Sequence, residues 1–255
     1  KDTNHRIAKN SKGLPSILIN TKEDESLVGN YKGANILLRF KENCKIHEDN
    51  ASSMFTILSC RSDDELTIKM FLDICETTIP QLNNEPSAIE IKEITNIVIN
   101  LFKEISDKKR SIIGLWGELF LIYSSSNTRK TLQAWHENPT DKYDFFDDNE
   151  ALEVKCTSQT DRIHKFQHDQ LLSEIKNHYI ASIMVSENHN DGLSVSDLYE
   201  EIKKNQLPLN LINKLKKNFY RVVGANPKED LDELKFDIDY SKNNLMYYKL
   251  KDVTS

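Results

Sequence analysis

The run Tyr143-Asp144-Phe145-Phe146-Asp147-Asp148-Asn149-Glu150-Ala151-Leu152-Glu153-Val154-Lys155-Cys156-Thr157 decides how the chain is read. Tyr143, Phe145 and Phe146 favour an extended strand. Asp147-Asp148-Asn149 is turn chemistry, because short polar side chains bond the local backbone and tolerate left-handed conformations. From Ala151 the pattern alternates, with Leu152, Val154 and Cys156 on one face and Glu153, Lys155 and Thr157 on the other. The stretch therefore predicts a β-hairpin. Glu153 and Lys155 project from the same side of its second strand, and Asp144 lies across from them on the first. Two carboxylates and an amine converging in this way can hold a divalent metal and activate a water.

The acidic-X-Lys spacing by itself proves little. Glu90-Ile91-Lys92, Glu174-Ile175-Lys176, Glu201-Ile202-Lys203 and Glu233-Leu234-Lys235 repeat it, and a solvated face accounts for such a pattern. The copies at 90, 174 and 201 lie in segments of helical periodicity, where residues two apart do not face each other. The copy at 233 falls in a predicted late strand, with no aromatic Asp hairpin before it. Position 153 alone combines a strand, an upstream Asp and a turn.

Working outward, Ser111 to Ser124 reads as a helix that is apolar nearly all round, and so is buried. Gly114 and Gly117 cost helix propensity; close packing against a sheet or a DNA backbone would repay it. Glu118 is the one charge in this run. An isolated charge in an apolar setting is costly, so Glu118 either pairs with a Lys or Arg or faces the polar site of Asp144 and Glu153.

At 255 residues the chain can hold one large domain or two small ones. Short β-rich runs are predicted over 16–20, 35–40 and 54–60, after a loose terminus at 1–13. A helix follows over 65–82. Asn83-Asn84-Glu85-Pro86 breaks it, and Ser87 with Glu90 forms a capping box for a helix reaching about residue 105. A soft boundary is placed within 86–107, giving an accessory α/β region at 1–86 and a main domain at 87–255. Beyond the hairpin the pattern predicts a helix at 166–177, a central strand at 179–186, helices at 195–205 and 208–219, and strands at 233–240 and 245–250. The order helix, hairpin, helix, strand fits an α/β layer with a mixed sheet.

Hydrophobic residues make up 38% and charged residues 29%, with a net charge of −6, which argues against a histone-like DNA coat but not against an enzyme with a local basic groove. Lys108-Lys109-Arg110, Arg129-Lys130, and Lys214, Lys216, Lys217 with Arg221 are the basic clusters, each equally readable as a solvated face. Cys44, Cys60, Cys75 and Cys156 form no Cys-X-X-Cys pair, which speaks against a zinc ribbon and for a reducing cytoplasmic setting. No apolar run approaches the roughly 18 residues of a membrane span. There is no Gly-rich phosphate loop, no Gly-X-Ser-X-Gly and no paired Cys/His nucleophile signature.

The series Gly114-Leu-Trp-Gly-Glu118-Leu, Ala134-Trp135-His136, Tyr143-Asp144-Phe145, Leu152-Glu153-Val154-Lys155-Cys156-Thr157, Arg162-Ile-His164-Lys-Phe166 and Gln170-Leu171 resembles the bacterial group of PD-(D/E)XK family members, within the restriction-endonuclease-like nuclease superfamily. The resemblance is carried by residues 111–172. It implies a nuclease-like core with a central mixed β-sheet flanked by helices, a divalent metal, and a setting among restriction or phage-defence proteins. The superfamily's metal Asp falls on Asp144, its second carboxylate on Glu153, its lysine on Lys155, and a helical acidic residue of some members on Glu118. Tyr143 stands where the superfamily has proline before the Asp, and Asp141, after Pro139-Thr140, is a rival for the role.

With that resemblance, the expected activity is metal-dependent DNA endonuclease. Asp144, Glu153 and the Val154 carbonyl would hold Mg²⁺ or Mn²⁺, Lys155 would act on the attacking water or the transition state, and Glu118 would hold a second metal or a ligand water. Arg162 either grips a phosphate or forms a salt bridge to Asp161 or Asp169. His164, Thr157 and Gln170 are further candidates for DNA contact or support. His164 and His168 lack the acidic partner of an HExxH site, so zinc is not expected. Expected partners are DNA, other restriction or defence proteins and a second copy of the chain, with no membrane. The alternatives are a catalytically silent DNA-binding or assembly subunit on the same fold, or a repair-type nickase or exonuclease.

Overall fold

The computed structural model describes residues 4–21, 30–32, 35–45, 52–104, 112–138, 140–166, 175, 177–224 and 234–253. Two compact units divide the chain, Lys1–Asp107 and Lys108–Ser255. The division falls later than residue 86 because the helix after the Pro86 break buries Ile91, Ile94, Val98 and Ile99 and packs on elements of the first unit.

In the first unit, strands β1 (Arg6–Lys9), β2 (Pro15–Asn20), β3 (Tyr31–Lys32), β4 (Ile36–Lys45) and β5 (Ser52–Cys60) form an antiparallel sheet in the order β1-β2-β5-β4-β3. Helix α1 (Glu65–Thr78) starts where the Asp64 carboxylate accepts from the Thr67 amide. Helix α2 (Ala88–Glu104) starts where Ser87 and Glu90 bond reciprocally. Residues 6–9 are not a loose terminus. They pair with β2, and His5 bonds the Asn83 carbonyl and the Asn20 amide. Ile7 is 70% exposed, so this edge strand rests on backbone bonding and leaves no hydrophobic pattern to read.

The second unit opens with α3 (Ile112–Ser124) and α4 (Thr128–Ala134), followed by the hairpin strands β6 (Phe145–Asp147) and β7 (Glu150–Thr157). Strand β8 (Asn177–Met184), helices α5 (Val195–Lys203), α6 (Leu209–Gly224) and α7 (Ile238–Asn243), strand β9 (Leu245–Lys249) and helix α8 (Leu250–Val253) complete it. The sheet runs β6-β7-β8-β9 and is mixed, with β7 and β8 parallel and the outer pairs antiparallel. Helix α3 packs on β7 and on α5. Trp116 is fully buried, stacks on Phe120 and donates Nε1–H to the Leu193 carbonyl. Among the described residues no helix is long and apolar enough to cross a membrane.

One local expectation changes. Residues 233–240 do not form a strand where they are described. Phe236 makes isolated bridges to Glu187 and Leu193, and Asp237 then caps α7 by accepting from the Tyr240 amide. An Asp in N-cap position outweighs the strand-like alternation around it. Helix α4 has only seven residues, too few to show a period. The predicted helix at 166–177 lies mostly outside the described residues.

Candidate active site

The hairpin turns at Asp148, whose φ of 51° is the left-handed conformation that Asp tolerates. Phe145 pairs with Leu152 and Asp147 with Glu150, so β6 covers only the first half of β7. Beyond it, a side chain replaces the missing strand: the Val154 amide donates to Asp144 Oδ2 at 2.7 Å. A paired strand residue turns its amide and carbonyl to the same side, so the Val154 carbonyl faces the edge that Asp144 occupies. The Asp144 carbonyl accepts from the His136 amide at 2.9 Å, fixing the segment from the other side.

Glu153 is 4% exposed and accepts from Lys155 Nζ at 2.8 Å. A solvated face is therefore ruled out for this pair. Lys155 also lies over the Phe166 ring, 5.3 Å from its centroid. Two other copies of the tripeptide differ as their periodicity requires: Glu90 is taken up by the Ser87 cap, and Glu201 pairs with Lys204 one helical turn on; the copies at 174 and 233 fall on positions outside the described residues.

Glu118 turns its Oε2 toward Trp135 and His136. That oxygen accepts from Trp135 Nε1 at 2.7 Å and lies 3.1 Å from His136 Nε2. Through Trp135 and His136 it holds the segment that hands over to Asp144. Burial pushes the Cys156 thiol far above the ordinary range, and the Glu118 and then the Asp144 carboxylates push it further. Both carboxylates thus border one inert thiol. Asp141 accepts from the Glu137 and Asn138 amides at 2.9 Å each, so its charge is used to form that turn.

A stability prediction follows from the buried Glu118. Glu118→Leu leaves the Trp135 indole N–H, in a residue 1% exposed, without its acceptor. It should lower unfolding free energy by about 1–3 kcal/mol. Glu118→Gln, which keeps an oxygen acceptor, should lose less; thermal and urea unfolding of both variants measure this.

Arg162 is held by backbone and hydroxyl oxygens. Nη1 donates to the Ser182 carbonyl at 2.7 Å and to Ser182 Oγ at 2.8 Å, and Nη2 donates to the Asn244 carbonyl at 2.7 Å. His164 Nε2 lies 2.6 Å from the same Ser182 Oγ. Thr157 is buried, accepting through Oγ1 from the Gln159 amide and through its carbonyl from the Val185 amide. Gln170 and the Lys108-Lys109-Arg110 cluster lie outside the described residues. Three cations of α6 turn inward: Lys216 is fully buried, Lys214 donates to the Gln133 carbonyl, and Arg221 bonds Asn218 and the Glu137 carbonyl. Lys130 pairs with Asp147 at 3.0 Å.

Sequence reading missed Ser182. Its one signal is a hydroxyl in the otherwise apolar centre of Tyr179-Ile180-Ala181-Ser182-Ile183-Met184-Val185. The pairing of Lys155 with Ser182 across β7 and β8 is a tertiary fact.

No curated protein and no solved structure matches the chain. A family model described as "Putative PD-(D/E)XK family member" matches residues 1–252. Its span covers nearly the whole chain, and the hairpin carrying Asp144, Glu153 and Lys155 lies within it. The chain belongs to this PD-(D/E)XK nuclease family, and it has the family's mixed α/β architecture of the restriction-endonuclease-like type.

Proposed function

We propose that this protein is a metal-dependent DNA endonuclease hydrolysing phosphodiester bonds, working in a restriction or phage-defence system. The observation that carries the reading is the docking of the Asp144 carboxylate on the amide of Val154, the residue between the buried Glu153 and its partner Lys155 in sequence. Asp144, Glu153 and the Val154 carbonyl are hard oxygen donors of the kind that Mg²⁺ and Mn²⁺ take. Among the described residues no group of three or more His, Cys, Asp and Glu is spaced to hold a metal. In this reading the protein's share is two carboxylates and a carbonyl, which suits an ion that keeps several waters. A bound divalent ion would lower the pKa of a water and neutralise phosphate charge.

The chain's own residues do the rest. The Val154 amide fixes the Asp144 carboxylate at the strand edge. The Lys155 ammonium, held by Glu153 and Phe166, stabilises negative charge developing on the attacked phosphate. Glu118 acts as the anchor of Trp135 and His136 rather than as a ligand. The 1–107 unit serves as the accessory region.

Supercoiled plasmid should be nicked or linearised with Mg²⁺ and spared with EDTA. The Asp144→Asn protein should be inactive under both conditions. An intact plasmid after incubation of the folded wild type in Mg²⁺ and in Mn²⁺, with Asp144→Asn indistinguishable from it, would leave a DNA-binding or assembly subunit as the function.

A further inference from the structure

Ser182 is fully buried and lies opposite Lys155 in the parallel β7–β8 register, on the same sheet face. Its hydroxyl oxygen accepts from Arg162 Nη1 at 2.8 Å and sits 2.6 Å from His164 Nε2. A serine hydroxyl carries one proton to donate. With no solvent around Ser182, that proton needs a protein acceptor, since a buried donor left unmade is costly. Arg162 has only donors, and among the described residues His164 Nε2 is the one acceptor placed beside this oxygen. The proton therefore goes to Nε2, which must be bare, and the imidazole proton resides on Nδ1. A doubly protonated ring would strand the serine proton and set a cation against the Arg162 guanidinium. Burial, then Arg162 and Lys155, hold the His164 pKa below its ordinary value, consistent with a neutral ring.

We propose that Arg162 and Ser182 are positioning residues that lock His164 in the neutral Nδ1–H tautomer, making it a directed hydrogen-bond donor to a phosphodiester oxygen beside Lys155. The proposal rests on the nuclease reading for its ligand, but not for the tautomer. It gives Arg162 a role other than phosphate grip, because both its terminal nitrogens are engaged within the protein. No described residue accepts from His164 Nδ1, so this donor is available to a substrate. A neutral donor suits the place: Lys155 already supplies the positive charge, and a second cation there would be repelled by the first.

Long-range ¹H–¹⁵N spectroscopy of the wild type at neutral pH tests the lock, with His164 assigned by its loss in His164→Gln. The expected spectrum shows a bare, pyridine-type Nε2 and a protonated Nδ1. Ser182→Ala, which removes the donor to Nε2, should give a mixture of tautomers. A wild-type ring protonated on Nε2, or on both nitrogens, overturns the lock whatever the protein does to DNA. Addition of a short DNA duplex in Ca²⁺ should shift the Nδ1 proton of His164, and an unmoved signal at saturating duplex overturns the donor role. In cleavage, His164→Ala should lower kcat by about tenfold or more. His164→Asn, whose amide N–H can stand near the Nδ1 position, should recover most of it, and equal loss in both variants counts against a donor at Nδ1. A protein with the expected spectrum and no cleavage retains the lock and loses the nuclease reading.

Discussion

Lys155→Ala is expected to lower the DNA cleavage rate by about 10²–10³, the usual effect of removing one preorganised group aimed at transition-state charge. DNA affinity should change little, because it is spread over many phosphate contacts. From the sequence alone this substitution reads as harmless to stability, since Lys155 lies on the polar face of its strand. The structure changes that expectation. Glu153 is 4% exposed and bonded to Lys155 Nζ, so truncation removes a partner from a buried carboxylate. A loss of about 1–3 kcal/mol in unfolding free energy is expected as well. Lys155→Gln separates the two effects. Its amide still donates to Glu153, so stability should return toward wild type while cleavage stays low. Gel shifts in Ca²⁺ and cleavage in Mg²⁺, at temperatures set equally far below each Tm, measure both. Wild-type cleavage by Lys155→Gln would remove Lys155 from the chemistry.

Gly117→Ala should lower both stability and cleavage through the addition of one methyl group. A Cβ at this position would collide with Cys156 Sγ and lie 3.2 Å from Val154 Cγ1. Helix α3 can approach β7 this closely only because residue 117 has no side chain. Overpacking of this kind costs about 1–3 kcal/mol, partly offset by the roughly 1 kcal/mol that alanine gains over glycine in a helix. The displaced strand carries Glu153 and Lys155, so cleavage should fall along with Tm. Cys156→Ala in the same chain removes the nearest clashing atom. The double-mutant cycle should then show a favourable coupling of about 0.5–3 kcal/mol between the two substitutions. Additive effects in urea unfolding would mean that helix and strand part easily, and that this packing does not hold the site.

Much of the second unit was legible because it is written in local patterns. The alternation from Ala151 to Thr157 fixes a strand whose polar face carries Glu153 and Lys155. Asp147-Asp148-Asn149 fixes the turn before it, and Asp148 adopts the positive φ that such residues permit. The all-round apolar run of α3 announces a buried helix, and in the first unit Ser87 with Glu90 marks the start of α2. Less was visible where backbone or distant partners decide. Residues 6–9 form a strand with an exposed Ile7, and residues 237–240 cap a helix where alternation predicts a strand.

The order of residues settles which types could share a site, because strand alternation and turn chemistry act over a few neighbouring positions. It placed Asp144 across a hairpin from Glu153, and it set Glu118 alone on a buried helix. It left open what Glu118, Arg162 and the basic residues of α6 would meet. Only the tertiary structure decided those partners. Glu118 meets Trp135 and His136, Arg162 and His164 converge on Ser182, and Lys214 and Arg221 turn inward. The physical reason is that burying a polar group requires satisfying its hydrogen bonds. The partners that do so come from strands and helices far apart in the chain, where no local period can record them.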